Sequence, residues 1–434
     1  MALAQSSYQP ASSADTANTQ VFKGLRDAWA LTLKEKRIDA AVSAYAPDAD
    51  FVQPDGSVVH GSAALRTLYE GITAKYDGDI VFYSAHLDIA GDRGNDAGKW
   101  KEILTEHATG KRQLIAGSSR TAYHRAADGR WLIARQEWTA GAEHPIALDL
   151  VAHPVVALTF DDLPAAGSLP PDTNRTKILT ALAADLKANH LEGTYGFVNA
   201  VKLENDPDAQ QALRVWLDAG MNIGSHTWSH LSLTANSAGD FEQEIAKNEP
   251  ALETYGQGRD WRWFRYPFLW EGNTIEKRHA VRSYLAEHGY RVAQVTLDFE
   301  DYAWNDAYGR CAAKQDSASI DWLKQSYLET ARAYIELGRE EQIIAFGHEV
   351  PNVVLLHATA FTTLMLPQLL DQLRSDGFSF DTLGAVEKDP VYSQDPDAAL
   401  KFGGTLPDQF MDARHLTYPP FPPKPFERLK QICP

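Results

Sequence analysis

Cysteine is nearly absent from this chain of 434 residues: only Cys311 and Cys433 occur. They stand far apart and without metal-type spacing, which excludes a cysteine-rich zinc module and leaves them free to form one disulfide in an oxidising compartment. Long apolar runs are missing too. No stretch of about 18 uninterrupted apolar residues is present, so no transmembrane segment is expected. Basic residues are in deficit, with 41 Lys and Arg against 58 Asp and Glu and a formal net charge of −17. A phosphate backbone needs clustered Lys and Arg to displace its counterions, so nucleic acid is excluded as a partner. The same charge would be repelled by anionic membrane surfaces. No internal repeat is found.

Core-forming material is plentiful. Hydrophobic residues make up 44% of the chain and charged residues 23%, with 11 Trp, 17 Tyr and 17 Phe, a globular composition rather than a disordered one. The length favours two domains. At the start, Met1-Ala2-Leu3-Ala4-Gln5 has the small-residue pattern of a signal-peptidase site without a preceding basic and apolar region. It reads as the stump of a removed signal peptide, giving a periplasmic or secreted protein, or as an Ala-rich start of no meaning in a cytoplasmic one.

Residues 1–17 are largely Ser, Ala, Gln and Thr without periodicity and predict a disordered arm, with order beginning near Val21. Phe22, Leu25, Trp29 and Leu33 recur at helical spacing, and Ile38 to Tyr45 reads as a second helix. A helical stretch near Ala63 to Ile72 follows. Alternating segments then read as strands: Ile80 to Leu87, Gly98 to Glu106, Arg120 to Arg125 and Trp131 to Glu137. Helices followed by a run of antiparallel strands predict an α+β domain over 18–143.

That portion resembles the SnoaL-like branch of the NTF2-like superfamily through Trp29, Tyr45-Ala46-Pro47-Asp48-Ala49, Pro54-Asp55-Gly56, Gly61 and Asp128-Gly129-Arg130-Trp131-Leu132-Ile133. The resemblance implies a cone-shaped fold with a helix pair packed in a curved sheet. Such domains are more often binding or dimerising modules than enzymes, so a homodimer through this domain is the assembly it implies.

A linker is expected over 144–154. Val155-Val156-Ala157-Leu158-Thr159-Phe160 then reads as a strand buried on both faces that runs out into Asp161-Asp162. Helix and strand alternate from there, predicting parallel β/α units over 155–385. A Pro-rich segment over 386–434, including Tyr418-Pro419-Pro420-Phe421-Pro422-Pro423, predicts an extended tail on the surface of the second domain.

Taken alone, Asp161-Asp162 reads as a helix or turn cap. In Gly224-Ser225-His226-Thr227-Trp228-Ser229-His230 two imidazoles stand four residues apart after a short apolar strand, and on a helical turn i and i+4 share a face. With one carboxylate from a neighbouring strand end they make a His₂-carboxylate set with a position open for water, as catalytic zinc requires. Arg265-Tyr266-Pro267-Phe268, Asp298-Phe299-Glu300-Asp301-Tyr302 and His357 fall at further expected strand ends. Five strand ends thus converge on one rim, where β/α barrels assemble their active sites.

Over about Val155 to Ala385 the motif order is similar to that of the NodB-homology polysaccharide deacetylases, carbohydrate esterase family 4. Thr159-Phe160-Asp161-Asp162 and His226-Thr227-x-x-His230 carry the likeness most specifically. The resemblance implies a distorted (β/α) barrel after a smaller α+β domain and hydrolysis of an N-acetyl group on a glycan, a carbon–nitrogen bond other than a peptide bond. It implies one divalent ion, Zn2+ or else Co2+ or Mn2+, on Asp162, His226 and His230. It makes Asp161 the general base and His357 the general acid, with Arg265 holding Asp161 and Asp301 orienting His357. The Phe268 backbone N–H would help hold the oxyanion. Leu163-Pro164 stands where the family usually has Gly after the Asp pair, Phe268 where Tyr is frequent, and Tyr302 where Trp is common.

His348 is the second candidate for the acid. Phe268, Tyr302, Trp228 and Trp270, with Trp304, are candidates to line a sugar groove, the bland reading for each Trp being half-buried packing. Two other functions fit the same residues: a metal-dependent amidohydrolase on a small linear or cyclic amide, and a catalytically idle sugar- or metabolite-binding protein. Asp161 and His357 count against the last, since binding alone needs no acid/base pair.

Overall fold

A computed structural model of the chain describes residues 13–110, 112–140, 148–151, 153–400, 402–416, 418–419 and 421–434. The chain divides into two compact units between Ala152 and His153. The first comprises α1 (Ser13–Lys34), α2 (Ile38–Ser43), β1 (Tyr45–Val52), β2 (Val58–His60), α3 (Gly61–Thr73), β3 (Tyr76–Ala90), β4 (Arg93–Glu106), β5 (Arg112–Arg125), β6 (Trp131–Ala140) and β7 (Leu148–Leu150). One sheet runs β2-β1-β6-β5-β4-β3, with β7 on β5. The β3 to β6 pairs are antiparallel, and β1 joins β6 in parallel. Phe22 and Trp29 of α1 pack with Trp100, Tyr123, Ile133 and Trp138 of the sheet, which accounts for the helical spacing of the first two.

Several boundaries differ from expectation. Helix α1 begins at Ser13, inside the expected arm, because extending a helix already nucleated by its buried face costs far less than starting one; residues 1–12 lie outside the described residues. The strands run longer than their alternating cores. Gly94 and Gly117 interrupt the pattern, yet a Cβ on either would press on the ring of Phe22 or Trp100, so these glycines admit core aromatics against the backbone. Part of the expected linker, Leu148–Leu150, pairs antiparallel with β5; residues 144–147 and 152 lie outside the described residues.

The second unit comprises β8 (Val155–Leu163), α4 (Arg175–Ala188), β9 (Tyr195–Val198), α5 (Pro207–Asp218), β10 (Asn222–Ser225), α6 (Ala238–Tyr255), β11 (Trp263–Phe264), α7 (Ile275–Glu287) and β12 (Arg291–Val292). It continues with α8 (Asn305–Ala313), α9 (Ser317–Phe346), β13 (Asn352–His357), α10 (Ala360–Ser375), β14 (Ser379–Phe380), α11 (Leu383–Val386), α12 (Leu406–Ala413) and α13 (Phe426–Gln431). The parallel order is β12-β11-β10-β9-β8-β13, and β14 pairs with the start of β8. A single bridge, Leu297 to Val354, carries the chain after β12 across to β13, so the ring closes as a distorted (β/α) barrel. Side-chain caps fix where the helices start: Asn174, Asp206, Ser237, Thr274 and Thr359 each accept an N–H from the first turn.

The segment after 386 is not simply an extended surface tail. Thr405 and Asp408 form a capping box that starts α12, whose Leu406, Phe410 and Met411 are buried. Apolar residues interleaved with the prolines supply this burial. Cys433 bonds Cys311 of α8 across a separation of 122 residues. A crosslink closing so long a loop restricts the unfolded chain, so Cys433→Ser should cost roughly 2–4 kcal/mol, read as a lower urea midpoint. An unmoved midpoint would contradict that role.

Candidate active site

Strand β8 ends in an irregularity. Its pairing with β9 slips between Phe160 and Leu163, and Asp162 within the slip has φ 68°. Such a bulge turns adjacent side chains in different directions. Asp161 turns into the barrel and is 2% exposed, whereas Asp162 faces the loop after β10. Parallel register sets His357 beside Asp161.

The loop 226–230 is not a helical turn, contrary to the spacing argument. Thr227 and His230 have φ 61° and 62°, and that loop bends the two rings together to 4.8 Å between centroids. Sequence periodicity could not show this, because a left-handed kink brings i and i+4 together as a helical turn does. Asp162, His226 and His230 offer ligand atoms that all lie within 4.8 Å of one another. The His226 Nδ1 is 2.8 Å from the Arg265 carbonyl oxygen, so Nδ1–H donates there and the Nε2 lone pair is left for an ion. Burial, then the neighbouring His230, keeps His226 well below its usual pKa and therefore neutral, the form a ligand needs. A carboxylate with two neutral imidazoles fits a divalent ion. Sequence reasoning missed Lys202, whose Nζ donates to the Asp162 carbonyl oxygen at 2.9 Å and lies 3.2 Å from its carboxylate.

Arg265 is 1% exposed and joins the end of β8 to the segment after β12. Its Nε donates to the Ala293 carbonyl at 2.8 Å, Nη1 to Asp161 at 3.2 Å and Nη2 to the Thr159 hydroxyl at 3.1 Å. Burial pushes the Asp161 carboxyl up to about 6, against the pull of Arg265 and His357. Across the site, the His357 Nδ1–H donates to Asp301 Oδ1 at 2.7 Å, while Asp301 Oδ2 accepts from the His357 backbone N–H at 2.9 Å and the Thr362 hydroxyl at 2.6 Å. Burial works against the imidazolium, yet the Asp301 carboxylate outweighs it and raises His357 to about 9.

Asp161, Asp162, His226, His230 and His357 line one cavity of about 950 Å³ with Phe268, Trp270, Tyr302 and Asp298. Phe268 and Tyr302 are 52% and 48% exposed at its rim. Trp228 is not on that wall: it packs half-buried on the core with Lys247 Nζ 4.3 Å over its ring. Trp304 is fully buried and donates to Ser326 at 2.9 Å. Both follow the packing alternative, since large apolar area outweighs one polar atom. His348 is exposed at the end of α9 and does not line the cavity.

A buried carboxylate, a metal-type donor set and an Asp-backed imidazole at the ends of parallel barrel strands are the parts that metal-assisted hydrolysis requires. Residues 151–293 match the family model for polysaccharide deacetylase. The matched span holds Asp161, Asp162, His226, His230, Arg265 and Phe268; Asp301 and His357 lie beyond it. The chain is similar to a chitin deacetylase of Arthroderma benhamiae, 26% identical over 235 residues, which cover 54% of this chain and 52% of that one. It therefore spans about half the length of the curated relative it matches. The solved chitin deacetylase of Colletotrichum lindemuthianum is 22% identical with a TM-score of 0.38, covering 54% of this chain and 88% of that one. An NTF2-like superfamily protein from Salmonella enterica is 12% identical with a TM-score of 0.27, covering 30% of this chain and 96% of that one.

If the donor set holds an ion, His230→Ala should weaken Co2+ or Zn2+ binding by at least about 100-fold, more than loss of an outer partner costs. Titration calorimetry on chelator-treated protein reads this directly; unchanged affinity would place the ion elsewhere.

Proposed function

We propose that the second unit hydrolyses N-acetyl groups from a glycan, with zinc on Asp162, His226 and His230. The carrying observation is the division of labour at the β8 bulge: Asp161 is held by Arg265, while its neighbour Asp162 joins the two imidazoles. The family match over 151–293 and the name of the Arthroderma relative support the acetylated glycan as substrate.

The ion, when bound, supplies Lewis acidity toward the acetyl carbonyl and acidifies water. Asp161 takes the proton from the attacking water, whose oxygen adds to the carbonyl carbon. Arg265 keeps that carboxylate aimed and ionised above about pH 6. The Phe268 N–H, in the Pro267–Leu269 turn with φ 59°, is the backbone donor assigned to the developing oxyanion. His357, cationic through Asp301, gives its Nε2 proton to the departing nitrogen as the C–N bond breaks, leaving acetate and a free amine. Phe268, Trp270 and Tyr302 offer faces against which a sugar ring packs. The Cys311–Cys433 bond supports a periplasmic or secreted location, because structural disulfides persist in oxidising compartments.

Acetate release from an N-acetylglucosamine oligomer should stop with a chelator and return with Zn2+ or Co2+. Chelator-insensitive release would contradict the mechanism. The base must be ionised and the acid protonated, so the rate should fall below about pH 6 and again above about pH 9, with a plateau between. A rate still rising beyond pH 10 would remove His357 from the role of acid.

A further inference from the structure

The C-terminal segment enters the cavity twice, and it lies outside the span that the family model matches. On its first pass Gly403 lies on the rim loop: a Cβ there would overlap the Phe268 carbonyl oxygen and the Trp270 indole, so only glycine permits the approach. The Leu400 N–H donates to Gly272 at 3.2 Å and the Gln409 amide to Glu271 at 2.9 Å, which fixes this pass to the same loop. Helix α12 follows and packs on the end of α9, with Phe410 and Phe346 rings 5.4 Å apart and Arg414 donating to the Ala345 carbonyl at 2.5 Å. On the second pass Lys424 sits 4.0 Å over the Tyr334 ring of α9 and 3.0 Å from Glu300, beside exposed Phe421.

These contacts link the C-terminal segment to the reactive groups on both sides of the cavity. From the metal-type cluster they pass through His230 and Phe268, 4.4 Å apart, to Gly403, α12 and α9. On the other side they pass through Lys424, Glu300 and Tyr302 to His357, the last two rings 4.9 Å apart, beside Asp161. An extended polymer lying across the site has to leave the cavity in two directions, and the C-terminal residues Gly403, Phe421 and Lys424 wall it on one side. The cavity of about 950 Å³ lies within the usual range of roughly 300–1,000 Å³ for small-molecule sites.

We propose that the C-terminal segment makes the site a cup that selects the end of an N-acetylated oligosaccharide over the interior of a long chain, an inference that rests on the deacetylase reading. Phe421 and Lys424 are the specificity-determining residues of the second pass, and Gly403 is the positioning residue of the first.

The probe is an N-acetylglucosamine hexamer labelled at its reducing end, compared with soluble glycol chitin. Mass-spectrometric sequencing of the products should show acetate lost at one position counted from one end. The rate per acetyl group on the polymer should be lower by at least about tenfold. Phe421→Ala and Lys424→Ala, assayed separately so that one misfolded variant does not decide the matter, should spread deacetylation to internal units and narrow that ratio. Wild-type attack on internal units at rates comparable to the ends would overturn the cup while leaving the deacetylase reading standing. An end-restricted pattern that neither folded variant changes would overturn the role of this segment. Acetate release from neither probe would overturn the deacetylase reading and the cup with it.

Discussion

The ion pair between Arg265 and Asp161 is the constraint on which the site is built. One guanidinium reads the end of β8 through Asp161 and Thr159 and the segment after β12 through Ala293. Its backbone carbonyl meanwhile orients His226. Both charges are almost fully buried, and removing one partner of such a pair costs about 3–5 kcal/mol because the other is left uncompensated. The same residue therefore couples the strands of the barrel, the aim of Asp161 and the tautomer of His226.

Around this pair the backbone departs from easy conformations. Asp162, Thr227, His230, Phe268, Leu269 and Glu300 all have positive φ. Each such residue costs roughly 1–3 kcal/mol and persists only where its surroundings hold it. Here Lys202 grips the Asp162 carbonyl and the C-terminal segment lies against the Phe268 loop. The two groups proposed as base and acid are likewise separated by environment: burial raises Asp161, and Asp301 overcomes burial to raise His357.

The barrel was legible because buried parallel strands are continuous apolar runs, as in Val155 to Phe160, and because reactive residues follow those runs directly. The candidate residues at strand ends were legible for the same reason. What periodicity could not convey was three-dimensional approach. The imidazoles meet through a kinked loop rather than a helical turn, Trp228 and Trp304 pack instead of lining the cavity, and Lys202 reaches Asp162 from 40 residues away. The wall built by Gly403, Phe421 and Lys424 was hidden by proline density, which signals extended chain but not where that chain lies.

The assignment of different work to two adjacent carboxylates is the central claim, and paired substitutions test it most directly. Metal content by atomic emission and acetate turnover would be measured for Asp161→Asn and Asp162→Asn. Asp161→Asn should keep its metal and lose turnover by at least about 100-fold, the usual worth of a general base, while Asp162→Asn should lose both. Full turnover in Asp161→Asn, or loss of metal from it, would contradict that division between the two carboxylates.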